Sequence, residues 1–547
     1  IVRPLDEQAA RALVRDLLDQ NIESLAISLI HSYVNPAHEE RLEQIVREIR
    51  PDLFVSRSSE VLPEYREYER TMTTVLNAYV MPVVARYLQH IESRLRESGY
   101  EAKIQIMRSD AGVMSLDAAL ERPVNTVLSG PAGGVKGASY LAAAAGYPNI
   151  LTMDMGGTST DVCLSVDSEP RLSTDTWVSH YPVRVPIIDI TTIGAGGGSI
   201  AYVSSAGALR VGPRSAGADP GPACYGRGGT QPTVTDANLV LGRLPDELAG
   251  GEIKLDLEAA REAVYSRIAK PLGLSLEQAA NGVIRIVNEN MLGALRVVSV
   301  QRGIDPRELT LVPFGGAGPV HGPELARLLG IGTVLIPGAP GVLSALGFLL
   351  SDVRNVFTVT RVGTIGELDV EMYHRELRQL LEQGNAWLES EGILPDDREI
   401  EVALDLRYAG QAYELPIRVG TQLDVVDWDR LPERFHTEHK LRYGFDQPFA
   451  KVEVVTLRVT AIGKLPKLNM EPQPEQEEDA SDAVIAVRPV YFDGWKEAKI
   501  YDRALLRPGN QFMGPAIVTQ TDCTTVIAPG QQVRVDGFGN LIIKTGV

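Results

Sequence analysis

Cysteine is nearly missing from this chain: 547 residues carry three, Cys163, Cys224 and Cys523, far apart and with no CxxC pair. A disulfide framework is therefore excluded, and a reducing, cytoplasmic setting is expected. Positive charge is also short, with 53 lysines and arginines against 71 aspartates and glutamates, a net charge of −18. That balance disfavours a sequence-independent grip on nucleic acid, which needs a basic face to displace counterions from phosphates. No apolar run approaches the roughly 18 residues of a membrane-spanning helix, and the N-terminus lacks the basic, apolar and small-residue zones of a signal peptide, so no membrane association is expected. Glycine is scarce in one region only. Residues 1–128 contain Gly99 and Gly112, whereas 18 glycines fall in 129–230 and 10 in 303–347.

What is present fits a soluble multidomain chain. Hydrophobic residues at 44% and charged residues at 23% exclude wholesale disorder, and at roughly 150 residues per domain the length predicts two to four domains. Ile1 stands where a methionine would begin a gene product, three residues before Pro4, so the chain is expected to start partway through a longer polypeptide. In residues 1–120 an amphipathic helix at 5–20 leads into the apolar strand SLAISLI, and a helix at 38–49 leads into DLFVSRS. A long helix at 65–98 is expected to break or kink at Pro82. Alternation of this kind is an α/β layer. From 121 to 352 apolar strands are punctuated by glycine loops, with helices placed at 276–298 and 323–329. Residues 353–547 read as a β-rich C-terminal domain with one helix at 367–393 and a solvated linker, EPQPEQEEDASD, at 471–482.

The strongest chemical signal is LTMDMGGTSTDVCL at 151–164, an apolar strand, a glycine turn and a second apolar strand. Backbone N–H groups of Gly156 and Gly157 can approach an anion closely in such a turn, and Thr158, Ser159 and Thr160 add hydroxyls. Asp154 and Asp161 are unfavourable beside phosphate unless a cation lies between, so Mg²⁺ with a nucleotide completes the motif; an ordinary polar hairpin is the plainer alternative. The spacing matches neither a Walker A loop, whose lysine is absent, nor GxGxxG. Two further loops flank it: VLSGPAGGVKGASYLAAAAG at 127–146, and LTLVPFGGAGPVHGPELARLLG at 309–330, where Gly315, Gly316, Ala317 and Gly318 leave room for a flat adenine ring. With PGVLSALGFLLSD at 340–352, the order is connecting helix, phosphate hairpin, adenosine loop, second connecting helix. That is the actin, Hsp70 and sugar-kinase arrangement, a ribonuclease H-like α/β fold.

Other polar positions carry weaker signals. GAGGGSIA at 194–201 is either a set of N–H donors for an anion or a turn between layers. The loop at 214–230 holds Arg214, Cys224 and Arg227; its length marks it as functional or disordered, although a lone cysteine without a nearby histidine is more often structural. His321 is expected in the core or at a cap, with contact to nucleotide or substrate the alternative, His436 and His439 on the surface, and Asp236 with Asn238 at a helix start.

The segments MRSDAGVMSLDAALERPVNTVLSGPAGGVKGA, ILTMDMGGTSTDV, TIGAGGGSIA, RVGPRSAGADPGPACYGRGGTQPTVTDANLVLGRL and LVPFGGAGPVHGPELA resemble the A-type subunit of the hydantoinase/oxoprolinase family over essentially the whole chain. The resemblance implies an ATP-dependent hydrolase subunit that phosphorylates the carbonyl of a cyclic amide, so that water opens the ring with phosphate as leaving group. A B-type subunit would complete the reaction in a hetero-oligomer. The carboxylase branch, acting on acetone or acetophenone, is the second reading, and a non-catalytic nucleotide-binding assembly subunit the third. By the same resemblance Gly156, Gly157 and Thr158 would cradle the β- and γ-phosphates of ATP, and Thr160 would hydrogen-bond the transferring group. Asp154 and Asp161 would hold Mg²⁺ or orient the nucleophile. The family's first hairpin, of the Gly-Gly-Thr-Phe-Thr-Asp kind, does not occur in this sequence.

Overall fold

The computed structural model describes residues 3–178, 180–420 and 426–547; Ile1 and Val2 lie outside them. The chain forms two compact units, each assembled from separated segments: Ile1–Ser129, Leu172–Ile187 and Ser351–Pro466 in the first, and Gly130–Arg171, Ile188–Leu350 and Lys467–Val547 in the second. The chain passes between units at 129/130, 171/172, 187/188, 350/351 and 466/467, so the expected segments 121–352 and 353–547 each contribute to both units.

The second unit is built on a mixed sheet. Its elements are α1 (Ser129–Ala144), β1 (Ile150–Met155), β2 (Thr160–Val166), β3 (Thr191–Ile193), α2 (Val234–Val240), α3 (Leu276–Val298), β4 (Thr310–Phe314), α4 (Gly318–Leu329), β5 (Thr333–Ile336), α5 (Leu343–Leu349), β6 (Gln511–Met513), β7 (Gln532–Val535) and β8 (Leu541–Lys544). The strand order is β3-β2-β1-β4-β5-β8-β7-β6, with β1, β4 and β5 parallel and β2 antiparallel to β1. Both faces are covered, which is why β1 and β4 read as unbroken apolar runs. Leu151, Met153 and Leu311 pack in one cluster with Val283 and Val287 of α3 and Leu325 of α4. Ile150, Val312 and Phe314 point the other way, onto Ala138, Leu141 and Ala142 of α1 and Leu343 of α5.

The helices begin where local chemistry allows. α3 starts on a capping box between Ser275 and Gln278 and spans the expected residues. α4 begins at Gly318, five residues before its expected start, because Pro319 lies in the first turn, where its missing N–H is not needed. The small residues of α1 have a packing reason: it crosses α5 so closely that a Cβ on Gly347 would strike the carbonyl oxygen of Gly133. The segment 471–482 is exposed and largely irregular, as expected of a solvated loop. It is nevertheless tied down, since Gln473 and Gln476 donate their N–H groups to Gly537 and Pro508.

The first unit carries a six-stranded sheet in the order Leu415–Gly420, Arg398–Tyr408, Val452–Gly463, Val353–Thr364, Val113–Ser115, Gln105–Met107. Tyr373, Leu377 and Leu380 of the helix Val370–Ser390 share its core with Leu404, Leu457 and Val459. A parallel pair, Ser24–Ile27 with Phe54–Arg57, is joined through the helix Ala37–Ile49. The helix Glu67–Glu97 runs through Pro82, where a break or kink was expected, without a break. Thr73, Thr74, Asn77, Ala78, Met81, Ala85 and Leu88 are buried along it, and tertiary packing of this kind outweighs one lost backbone hydrogen bond.

Candidate functional site

The hairpin β1–β2 is closed by the four residues Gly156 to Ser159, with the Gly156 N–H donating to the Ser159 carbonyl at 3.1 Å. Register places Asp154 directly opposite Asp161, and Met155 opposite Thr160. Directly opposed like charges repel on a strand pair, and here nothing basic relieves them. Among the described residues neither carboxylate has an ion-pair partner; Asp161 accepts a hydrogen bond from the Thr192 hydroxyl and Asp154 accepts none. Burial, then the Asp161 charge, raises the Asp154 pKa to about 6. Burial also raises that of Asp161, with the Thr192 hydrogen bond acting against it.

Three glycine segments converge on this turn. Gly197 and Gly198 donate their N–H groups to the carbonyls of Gly156 and Gly157 at 3.0 and 2.6 Å. The turn before α4 is tied to the end of β1 through the Ala317 N–H and the Met155 carbonyl at 2.9 Å. Gly315 has φ +75°, and a Cβ there would run into the Asp154 carboxylate and the Met155 carbonyl, so no other residue brings this turn so close. A cavity of about 340 Å³ opens where these loops meet. Gly156, Gly157, Gly197, Gly316 and Ala317 border it on the backbone side; Leu244, Leu248, Ile253 and Val320 give it an apolar part. Glycine backbone, an apolar wall and two uncompensated carboxylates beside the hairpin suit a ligand with an anionic end, a cation and an apolar end.

The donor set fits magnesium better than a metal held by protein alone. No cluster of three or more histidine, cysteine, aspartate or glutamate side chains suited to a metal occurs among the described residues. Mg²⁺ commonly takes one or two carboxylates and completes its shell with water and phosphate oxygens, which is what Asp154 and Asp161 offer.

Several expected residues are placed otherwise. Thr160 is fully buried and its hydroxyl donates to the Ala195 carbonyl at 2.5 Å, so it fastens the 194–198 loop to the hairpin and does not face a transferring group. Thr158 is exposed at the turn, while the Ser159 carbonyl closes it. Gly315 and Gly318 lie in the turn but do not line the cavity; Gly318 packs against the Met153 carbonyl. The 194–198 loop resolves as a packed turn whose N–H groups are spent on the hairpin. Cys224 is buried, and burial pushes its thiol well above the ordinary range, against a nucleophilic role. Asp236 forms the capping box of α2 with Thr233 and also receives the N–H groups of Ala223 and Cys224, pinning the long loop at 214–230.

His321 is a core residue on the cavity wall. Its Nδ1 pairs with Asn288 Oδ1 at 2.7 Å and its Nε2 with Asn238 Nδ2 at 3.3 Å, and burial holds its pKa down to about 3. The ring is thus neutral, with Nδ1 protonated. His439 is buried in a ring of aromatic side chains, not on the surface as expected. The sequence reading missed the stretch Gln520 to Thr524, which lines the same cavity and reaches Gly341 through an Asp522 hydrogen bond at 2.7 Å. No local motif marks it, because its position follows from strand pairing with residues far away in sequence.

Fold and site together define a mixed α/β protein with a glycine-loop cavity beside an uncompensated carboxylate pair. Family models match along the chain: hydantoinase/oxoprolinase over residues 70–356, the hydantoinase/oxoprolinase C-terminal domain over 369–545 and the hydantoinase/oxoprolinase N-terminal region over 1–50. The chain belongs to the hydantoinase/oxoprolinase family. It is 39% identical to the caprolactamase subunit alpha of Pseudomonas jessenii over 542 residues, covering 97% of this chain and 78% of that one. The crystal structure of the ATP-dependent caprolactamase from the same organism matches with a TM-score of 0.88 and 37% identity, over 100% of this chain and 80% of that chain. The acetone carboxylase beta subunit of Xanthobacter autotrophicus is 31% identical over 558 residues, 98% of this chain and 77% of the relative. Among the described residues no helix is long and apolar enough to cross a membrane.

Proposed function

We propose that this chain binds ATP with magnesium at the glycine hairpin and acts as the phosphorylating subunit of an ATP-dependent cyclic-amide hydrolase. The observation that carries the reading is the facing pair Asp154 and Asp161, raised in pKa by burial and left without a basic neighbour beside a glycine turn and a cavity. Such a pair is costly unless a cation completes it. The caprolactamase relative, named for a cyclic amide and described as ATP-dependent, supports the substrate class. The order α1, hairpin, glycine turn, α5 within one unit supports an actin-like lobe.

Bound ATP and magnesium would supply the transferable phosphoryl group and the positive charge between the carboxylates. Asp154 and Asp161 hold the cation; Gly156, Gly157 and Thr158 cradle the phosphates; Gly316 and Ala317 border the adenosine. Positioning and charge stabilisation are most of what phosphoryl transfer asks of a protein. The ring carbonyl oxygen takes the phosphoryl group as ADP departs. Water then adds to the carbon, the ring nitrogen leaves, and hydrolysis of the resulting acyl phosphate yields a carboxylate and phosphate.

The acetone carboxylase relative favours a second reading, in which a ketone and bicarbonate are activated instead. Both relatives are named as subunits, which supports a hetero-oligomer with a B-type partner. ATP cleavage by the chain with that partner, measured with caprolactam, hydantoin, 5-oxoproline, acetone and acetophenone, tests the assignment. Stimulation by a cyclic amide is expected. Stimulation by ketones with bicarbonate alone favours the second reading, and ATP-magnesium binding with no turnover on any substrate overturns both.

A further inference from the structure

Two residues on the wall of the glycine-loop cavity each hold a polar atom with nothing to bond. Asn238, on α2, and Gln520 both border the cavity. The Asn238 Oδ1 and the Gln520 Oε1 are buried, and among the described residues neither has a hydrogen-bond partner. Asn238 as a whole is 3% exposed. A buried carbonyl oxygen without a donor is costly, and the nearest source of a donor is whatever occupies the cavity.

The neighbours of each carboxamide fix which end is free. Gln520 Nε2 lies 2.6 Å from Asp522 Oδ1 and 3.2 Å from the Gly338 carbonyl, both acceptors, so the amino end faces them and the oxygen is left over. Asp522 is itself anchored, accepting the Gly341 N–H at 2.7 Å. At Asn238 the tautomer of His321 decides. The ring's Nδ1–H is spent on Asn288 Oδ1 at 2.7 Å, so Nε2 carries a lone pair, and only the amino end of Asn238 can face it at 3.3 Å. Asn288 stands on α3 and His321 on α4, so side chains from three helices hold this amide in one orientation.

The wall is therefore a pair of oriented acceptors beside the apolar side chains Leu244, Leu248, Ile253 and Val320. Its complement is a flat, apolar body that carries N–H groups. An aminopurine has that form: its 6-amino group donates hydrogen bonds, whereas a 6-oxopurine presents an acceptor oxygen at the same position. Two carbonyl oxygens facing a third would leave all of them unpaired.

We infer that Asn238 and Gln520 select the base: their side-chain oxygens accept hydrogen bonds from the 6-amino group of an adenine nucleotide and disfavour guanine. The inference rests on the nucleotide reading above and adds to it the residues that discriminate between bases. A site built to hydrogen-bond a ligand group rejects an analogue without that group, because its own buried atoms are then left unpaired.

Equilibrium binding to the whole chain with magnesium tests it, using ATP, GTP and purine riboside triphosphate, which has hydrogen in place of the amino group. ATP is expected to bind tightest, with loss of the amino group weakening binding by about tenfold and GTP weaker still. Asn238→Leu and Gln520→Met are each expected to cut the preference for ATP over the amino-free analogue by about threefold or more. Equal binding of ATP and that analogue, equal binding of ATP and GTP, or a folded variant of either residue that keeps the parent's preference overturns the inference while the nucleotide reading stands. Failure of the parent to bind any of the three overturns both. Should neither variant fold, the parent decides: a preference for ATP over both analogues supports the inference, and its absence overturns it.

Discussion

Asp110, Glu64, Asp405 and Glu414 in the first unit have carboxylates almost wholly shielded from solvent, and each meets an arginine: Arg108, Arg184, Arg458 and Arg66 among them. Among the described residues Asp154 and Asp161 in the second unit face each other, and their one hydrogen-bonding partner is the Thr192 hydroxyl on Asp161. The consequence shows in their protonation. Burial pushes the Asp110 carboxyl up, yet Arg108 and Arg354 outweigh it and hold it below the ordinary value. At Asp154 burial and a like charge act in the same direction. The first pattern finishes its electrostatics within the fold; the second leaves them for a ligand to finish. Unpaired charge, more than burial, therefore separates the carboxylates that hold the structure from those available for chemistry.

Removing one member of each set tests the contrast, and the effects should fall on different observables. Asp161→Ala is expected to cut ATP cleavage about 10³-fold, in the range for lost transition-state electrostatics, while the denaturation midpoint holds. Unchanged turnover would remove Asp161 from the site. Asp405→Ala should do the reverse. Arg458 is 8% exposed and keeps only Glu64 once Asp405 is gone, so unfolding in urea should show a loss of about 3 kcal/mol. ATP binding per folded molecule should persist. A variant as stable as the parent would show that the first unit does not depend on its paired charges.

Much of this contrast was open to sequence reading on one side only. Asp154, Gly156, Gly157 and Asp161 announce themselves because a hairpin turn is local, with every relevant residue within eight positions. The α3 boundaries were legible for the same reason, since a capping box and a 3.6-residue stripe are local. The ion pairs of the first unit were not. Glu64 and Arg458 are 394 residues apart, and their meeting is set by strand order, which no periodicity encodes. The same limit hid Gln520–Thr524 at the cavity and the division of 353–547 between two units. Thr160 was misread in a subtler way: strand alternation turned its hydroxyl away from the turn, and Ala195, 35 residues on, became its acceptor.

The smallest expected effect is the sharpest test, because its sign depends on what is bound. Asp154 has a folded pKa of about 6 against an ordinary 3.8, so the folded protein holds that proton more tightly than the unfolded chain. Its contribution to stability is full below about pH 4 and is lost as pH rises through about 6. Asp154→Asn removes the titration. Without nucleotide the variant should be more stable than the parent by about 3 kcal/mol at pH 8, with the difference shrinking toward zero at pH 4, read from denaturant midpoints across that range. ATP with magnesium should reverse the order at pH 8, since a cation between Asp154 and Asp161 stabilises the ionised pair and has little to gain from the amide. A variant that is less stable at every pH without ligand would mean that Asp154 is held by contacts of the same kind as Asp110, and the distinction between the two units would fail at its central residue.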